Sequence, residues 1–396
     1  MTPSFERSSG NGHVDVEQAV RERYSAAARQ TDAELCCPVD YDERLLEMVP
    51  AEIRERDYGC GDPSRFVRPG ETVLDLGSGA GKICYIAAQI VGEAGRVIGV
   101  DCNDTMLALA RKHRDEFAAR LGYANVEFRK AKIQDLQLDL DRLDAHLAAN
   151  PVRSSGDWLH VEEFARGLRE TEPVVADQSV DVVLSNCVLN LVRTDDRRQL
   201  FREMHRVLKR GGRAVISDIV ADEDVPPHLR ADRQLWSGCI SGAFRDDEFF
   251  RAFEEAGFYG VELISRQPEP WAVVEGIEFR SVTVRAYKGK EGPCLDRNQA
   301  VIYKGPWKTV TDDDGHQLFR GERIAVCDKT FQIYSREPYA GQFERIEPHT
   351  PVPLDDAPEF DCRRNAIRPA SETKRQAGDP LTILPEGDCC GPAGCC

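Results

Sequence analysis

The chain has 396 residues, 30% charged and 41% hydrophobic, with 68 acidic against 52 basic side chains and a formal charge of −16. That length suggests two or three domains at roughly 100–200 residues each. The acid excess argues against a general grip on nucleic acid, which needs a basic face, and no apolar run approaches the ~18–20 residues of a membrane span.

Residues 15–30 place Val16, Val20, Tyr24 and Ala27 on one helical face. The loop ELCCPVD follows, and then two short helices, DERLLEMV and PAEIRERDYG, with Pro50 suited to a helix start and Gly59 to a stop. From Glu71 a strand–helix rhythm takes over: strand TVLDLG, helix GKICYIAAQIVGEAG, strand RVIGVDC, helix over 103–122, strand NVEFRKAK, strand SVDVVLSN, helix RRQLFREMHRVLKRGG and strand RAVISDIV. Such alternation implies a parallel sheet between helices. Residues 135–172 interrupt it with two predicted helices around a loop, read as an insertion that serves either as a lid or as a surface elaboration. After Val220 come helices HLRADRQLW and RDDEFFRAFEEAG and strand FYGVELISR. From Ile277, strand-like runs alternate with Gly and Asp turns. The expected domains are therefore a helical cap over 1–65, a core over 66–275, a β-rich domain over 276–346 and a flexible, Cys-ended tail over 347–396.

VLDLGSGAGK carries Gly77, Gly79 and Gly81 between a strand and a helix, where glycines permit a tight turn and close approach to a ligand. The spacing is G-x-G-x-G rather than the G-x-G-x-x-G of a pyrophosphate site, and Asp75 precedes it. Asp101 stands at the tip of the second strand, where an acid can bond both ribose hydroxyls. A cofactor with a ribose, an amine and no phosphate is S-adenosylmethionine. Residues 67–287 resemble the class I S-adenosylmethionine-dependent methyltransferases, which implies a Rossmann-like α/β sheet. The resemblance also implies that Gly77, Ser78, Gly79, Gly81 and Lys82 line the methionine end, Asp101 takes the ribose with Asn103 and Met106 beside it, and Ile133 and Gln134 flank the adenine. Asp75 would buttress the loop, and Asn186 and Val188 would border the cofactor.

The acceptor is the remaining question. Oxygen and nitrogen acceptors often need a base near the fourth strand, yet SNCVLNL offers Ser185, Asn186 and Cys187 and no base. His228 is the histidine left as a candidate. Taken alone, Cys187 reads as small apolar filling. Two other cysteines stand among small residues, Cys60 in RDYGCGD and Cys239 in LWSGCISGAF. The 11 residues from Cys60 to Glu71 can span at most ~35–40 Å, against about 17–20 Å for a strand, so Cys60 can reach the carboxyl edge of the sheet.

RDYGCG, LGSGAGK, VLSNCVLNLV and LWSGCISGA together resemble the arsenite methyltransferases, over most of residues 15–345, and the tail GDCCGPAGCC is similar to tails in that family. The resemblance implies methylation of trivalent arsenic, presented as arsenite or its thiol conjugates, for detoxification. Cys60, Cys187 and Cys239 would be the arsenic ligands, and Tyr58 would lie near the cofactor. It further implies a redox cycle in which Cys36 or Cys37 pairs with Cys60 and a thiol reductant such as thioredoxin or glutathione reopens the disulfide. The chemistry suits the residues. Soft thiolates select soft ions, and arsenic held by three sulfurs keeps a lone pair that carries no proton, so no base is required. Thiolate formation favours cysteines with lowered pKa. Cys84 is expected in the core, and Cys102, Cys294, Cys327 and Cys362, which show no partner pattern, are expected to be structural. A cytoplasmic monomer is expected, since MTPSFERSSGNGHVDVE lacks the apolar core of a signal peptide. The competing readings are an organic or organoarsenical acceptor with incidental cysteines, a module that sequesters thiophilic ions, and a zinc site made by the same three cysteines.

Overall fold

The structure, a computed structural model, describes residues 16–32, 35, 39–363 and 366–374. Cys36, Cys37 and the tail cysteines Cys389, Cys390, Cys395 and Cys396 lie outside the described residues. The chain divides into two compact units, Met1–Gly289 and Lys290–Cys396.

In the first unit, α1 (Val16–Ala27), α2 (Glu43–Met48) and α3 (Ala51–Arg56) precede the sheet. Then come β1 (Thr72–Leu76), α4 (Lys82–Val91), β2 (Arg96–Asp101), α5 (Asp104–Lys112), α6 (Arg114–Leu121), β3 (Val126–Lys130), α7 (Leu140–Ala149), α8 (Ser155–Thr171), β4 (Val180–Asn186), α9 (Arg197–Val207) and β5 (Leu208–Ala221). The unit finishes with α10 (Pro227–Arg230), α11 (Arg233–Ser237), β6 (Phe244–Arg245), α12 (Asp246–Glu255), β7 (Tyr259–Arg266), β8 (Ala272–Val274) and β9 (Ile277–Tyr287). The strands lie in the order β3-β2-β1-β4-β5-β9-β7, with β6 on β5 and β8 on β9. The first five pair in parallel, while β9 and β7 run antiparallel.

Alternate residues of β1 supply the two faces: Leu74 and Leu76 join one apolar cluster and Val73 the other. Because helices cover both faces, the inner strands are almost wholly buried, each Leu or Val adding about 1.5–3 kcal/mol by leaving water. From β1 the chain turns one way to β2, and from β4 the other way to β5. Their carboxyl ends therefore frame a crevice at the switch point of the sheet, where open α/β sheets bind ligands.

Three local expectations shift. The helix expected over 103–122 breaks at His113, whose ring meets Glu52 at 2.8 Å. The helix expected to run to Gly211 stops at Val207, because Leu208 registers with Val180 and Gly212 O accepts from Lys288 N. Strand β9, placed by the sequence in a second domain starting at 276, pairs along its length with β5 and belongs to the main sheet. The insertion does form two helices, α7 and α8, packed on a small cluster of Leu138, Ala165 and Leu168.

The second unit contains β10 (Ala300–Tyr303), β11 (Thr309–Thr311), β12 (Gln317–Phe319), β13 (Arg323–Ala325), α13 (Asp328–Tyr334), β14 (Phe343–Ile346) and α14 (Ala370–Thr373). It has a three-stranded antiparallel sheet, β13-β10-β14, and a hairpin of β11 with β12. Residues 347–363 and 366–374, expected to be a flexible tail, are instead built into it. Ala325 N donates to Ala366 O, and the buried Arg368 pairs with Asp296 at 2.6 Å.

Candidate active site

The register of β1 with β4 puts Leu76 beside Ser185, so the turns that follow, Gly77–Ala80 and Asn186–Leu189, leave the sheet side by side. Gly77 has φ +67°, and a Cβ there would lie 2.3 Å from Val188 Cγ1; only glycine suits both the dihedral and the space. Next along the sheet, the Asp101 carboxylate at the tip of β2 accepts from Gly79 N at 2.9 Å and Asn103 N at 2.8 Å. Asn103 caps α5 through Oδ1, which accepts from Thr105 N and Met106 N.

These groups line a cavity of about 340 Å³ that runs along the sheet edge. Of the expected cofactor residues, Tyr58, Gly77, Gly79, Asp101, Asn103, Met106, Ile133, Gln134, Asn186 and Val188 line it. Asp75, Ser78, Gly81 and Lys82 stand behind its wall. Lys82 donates through Nζ to Asp57 O at 2.8 Å and through its backbone N to Asp57 Oδ2 at 2.6 Å. Asp75 is sealed in the core, where it accepts from the Cys84 thiol at 3.2 Å, and burial pushes its carboxyl up to about 8. It supports α4 rather than the loop backbone. Asp57, Lys132 and Trp271 line the cavity without having been singled out, and so does Cys102, which was expected to be only structural. Among the described residues, no histidine lines the cavity; His228 is exposed and paired with Glu275.

At the β4 end the cavity reaches the cysteines. Asn186 fastens the loop that carries Cys60. Its Oδ1 accepts from Cys60 N at 2.9 Å and Gly61 N at 3.1 Å, and its Nδ2 donates to Gly61 O at 2.7 Å. The glycines either side of Cys60 allow this approach: a Cβ on Gly59 would sit 2.3 Å from Asn186 Nδ2, and one on Gly61 would sit 2.5 Å from Ser217 Oγ. Cys187 follows directly and packs in one cluster with Cys60 and Cys239. Cys239 arrives from the turn after α11, donating its thiol to Cys187 O at 3.2 Å. The three cysteines thus form a row with Cys187 at its centre, packed among Leu191, Leu235, Ile240 and Trp271; Cys187 and Cys239 line the cavity, whereas Cys60 is buried and is not among its lining residues.

Two participants escaped the sequence reading. Asp218 of β5 places a carboxylate oxygen within 4.8 Å of the sulfurs of Cys187 and Cys239. Its oxygens accept from Leu189 N, Ile219 N and Asn190 Nδ2, which pins the turn carrying Cys187, and burial pushes its carboxyl up to about 6. Tyr24 of α1 lines the same cavity as Cys187 and Cys239; burial first, then those two neighbouring sulfurs, raise its pKa. Its period had marked Tyr24 only as a core position, and nothing local distinguishes Asp218 from any strand acid.

Cys187 and Cys60 depart from the expectation of lowered pKa. Hydrogen bonds to Cys239 and Cys60, followed by burial, raise Cys187, and burial raises Cys60. Crowded sulfurs in an apolar pocket resist charge until a cation or metalloid replaces their protons. Among the described residues, no helix is long and apolar enough to cross a membrane.

A methyltransferase domain family matches residues 68–163 and 160–257, and a domain family of unknown function matches 290–378. The arsenite methyltransferase of Aquipseudomonas alcaligenes is 35% identical over 315 residues, which covers 76% of this chain and 80% of that protein. The human arsenite methyltransferase is 29% identical over 75% of this chain and 73% of its own length. Among solved structures, an arsenic(III) S-adenosylmethionine methyltransferase from Chlamydomonas reinhardtii superposes with a TM-score of 0.53 at 27% identity, covering 82% of this chain and 100% of that one.

Proposed function

We propose, for a chain that belongs to the arsenite methyltransferase family, that the row of Cys60, Cys187 and Cys239 is where the acceptor is held. The chain is an S-adenosylmethionine-dependent enzyme that methylates arsenite. One observation supports the assignment of residues: cysteines from three distant segments pack together, and two of them, Cys187 and Cys239, line a cavity that also carries Asp101 and the glycine turn.

Arsenite is taken up by exchange. Three thiols and As(OH)3 give three As–S bonds and three waters, with no change of oxidation state. The soft, three-coordinate acceptor matches the donors in kind and number. Asn186 and Asp218 act as positioning residues, the first on the Cys60 loop and the second on the turn of Cys187. The apolar side chains around the sulfurs keep water from competing for the site.

When bound, S-adenosylmethionine supplies a methyl group on a sulfonium centre. Asp101 has lone pairs left for ribose hydroxyls beyond its two backbone donors, and Gly77 and Gly79 leave room for close approach, so these residues fit that group. Arsenic bound to three sulfurs presents an unprotonated lone pair, and the cavity needs no general base. Holding acceptor and donor in one cavity supplies orientation, worth up to ~7–11 kcal/mol of a barrier in favourable cases. Returning methylated arsenic to the trivalent state takes two electrons, which two thiols provide as they close to a disulfide. Cys60 with Cys36 or Cys37 is the pair proposed, reopened by thioredoxin or glutathione.

The test is product speciation with arsenite, radiolabelled S-adenosylmethionine and a thiol reductant. Labelled methylarsenicals are expected from the wild type and none from Cys60→Ser, Cys187→Ser or Cys239→Ser. Wild-type product yields from these variants would remove the thiols from the acceptor site.

A further inference from the structure

Three cysteines that the reaction does not use meet in the second unit. Cys294, Cys327 and Cys362, expected from sequence to be structural, hold sulfurs that all lie within 4.8 Å of one another. They come from three segments: the loop before β10, the residue capping α13, and the turn after Phe360. The backbone fixes these segments together. Leu295 bridges Glu359, Phe360 N donates to Cys294 O at 2.8 Å, and Asp328 N donates to Leu295 O at 2.9 Å. Cys327 is oriented as well, its sulfur accepting from Thr330 N at 3.4 Å and meeting Thr330 Oγ1 at 3.2 Å. All three thiols are free.

We propose that this triad is a structural zinc site, with three thiolates from the chain and a solvent molecule as fourth ligand. Three cysteines converging on a point supply three of the four ligands of a sulfur-rich zinc site, and a tetrahedral zinc with bonds of about 2.3 Å holds its sulfurs ~3.8 Å apart, inside the spread observed. Cys327 is fully buried while Cys294 and Cys362 are half-buried, which leaves the fourth corner open to water. The unit also needs a clasp. Its regular structure is three short strands, a hairpin and two short helices, and the segments carrying Cys294 and Cys362 are irregular. Small units with modest cores commonly depend on a metal or disulfides. Binding exchanges three S–H protons for three Zn–S bonds; the protons pass to solvent and nothing is oxidised. The inference is independent of the arsenic site.

The test uses full-length Cys187→Ser protein, which disables the first thiol cluster, produced with zinc and kept reduced. Elemental analysis should find about one zinc per chain, falling below ~0.2 when Cys294→Ser or Cys362→Ser is added. Zinc-edge absorption on the parent protein should show three sulfurs at ~2.3 Å, a reading that stands even if a variant folds poorly. Three outcomes would overturn the proposal: zinc below ~0.2 per chain after reconstitution, a disulfide among the three cysteines in the reduced protein, or trivalent arsenic in preference to zinc at this triad when both are offered.

Discussion

Asn186→Ala asks whether the fold holds Cys60 in place. The carboxamide satisfies Cys60 N, Gly61 N and Gly61 O and also meets the Tyr41 hydroxyl at 3.3 Å. Alanine leaves those three backbone groups without partners at a buried junction. A net hydrogen bond is worth about 1 kcal/mol, and more when the orphaned group stays dry, so docking of the loop weakens by ~3 kcal/mol. Since ~1.4 kcal/mol is a factor of ten, the docked loop becomes ~100-fold less favoured. Affinity for a trivalent arsenical should fall by a similar factor at most, and by less if arsenic itself draws Cys60 back. Because Asn186 spends its polar atoms on the loop, affinity for S-adenosylmethionine should change far less. Calorimetric titration of the reduced protein with each ligand measures both. Arsenical affinity within twofold of wild type, in a background where Cys60→Ser abolishes it, would refute the clamp. If Cys60→Ser leaves affinity intact too, Cys60 is not a ligand.

Three further outcomes are expected. Cys187→Ser removes the centre of the thiol row and should lower arsenite methylation by at least ~100-fold while S-adenosylmethionine still binds, as equilibrium dialysis can show. Asp101→Ala removes an ionic hydrogen-bond acceptor worth about 1.5–3 kcal/mol and should weaken S-adenosylmethionine binding by ~10–100-fold without changing arsenical affinity. Asp75, with its carboxyl raised to about 8 in the folded chain, keeps a proton that the unfolded chain loses near pH ~4. Its contribution is fully present below that lower pKa and is lost as pH rises through 8. Wild-type stability should therefore fall between pH ~4 and 8, by up to ~1.4 kcal/mol per pH unit, more steeply than that of Asp75→Asn. Equal slopes in thermal unfolding would refute the assignment.

What the sequence disclosed was mostly local. The strand–turn–helix around Gly77, the acid closing β2 and the cysteine closing β4 are each written within about ten residues, and their topology follows from alternation. The insertion helices were legible for the same reason. Non-local facts were not. Asp218 matters because β5 lies beside β4, and Tyr24 because α1 packs against α11; neither residue is unusual in its own segment. Cys294, Cys327 and Cys362 sit on a loop, a helix cap and a turn that only the folded second unit brings together. The expectation of acidic thiols failed for a physical reason. It considered what the chemistry requires of thiolates and left out what burial does to them before substrate arrives.

The backbone at the site supplies an argument that owes nothing to relatives. Among the described residues, five that are not glycine have positive φ, and two of these are Cys187 at 62° and Cys239 at 64°. The left-handed region costs a residue with a Cβ about 1–2 kcal/mol relative to the right-handed one, and glycine would adopt it freely. The structure holds both residues there: Cys187 N donates to Ser217 O at 2.8 Å, Cys239 N to Trp236 O at 3.0 Å, and Asn190 Nδ2 reaches Cys239 O. Filling an apolar gap does not account for a side chain at two positions where glycine is the easier choice. The sulfur does, because these turns bring both cysteines into the cluster that also holds Cys60. Strain of this kind persists where the surroundings over-determine it and the group it presents has work to perform. Cys187, which by position alone would pass for filler at a strand end, is therefore the residue whose conformation speaks most directly for chemistry.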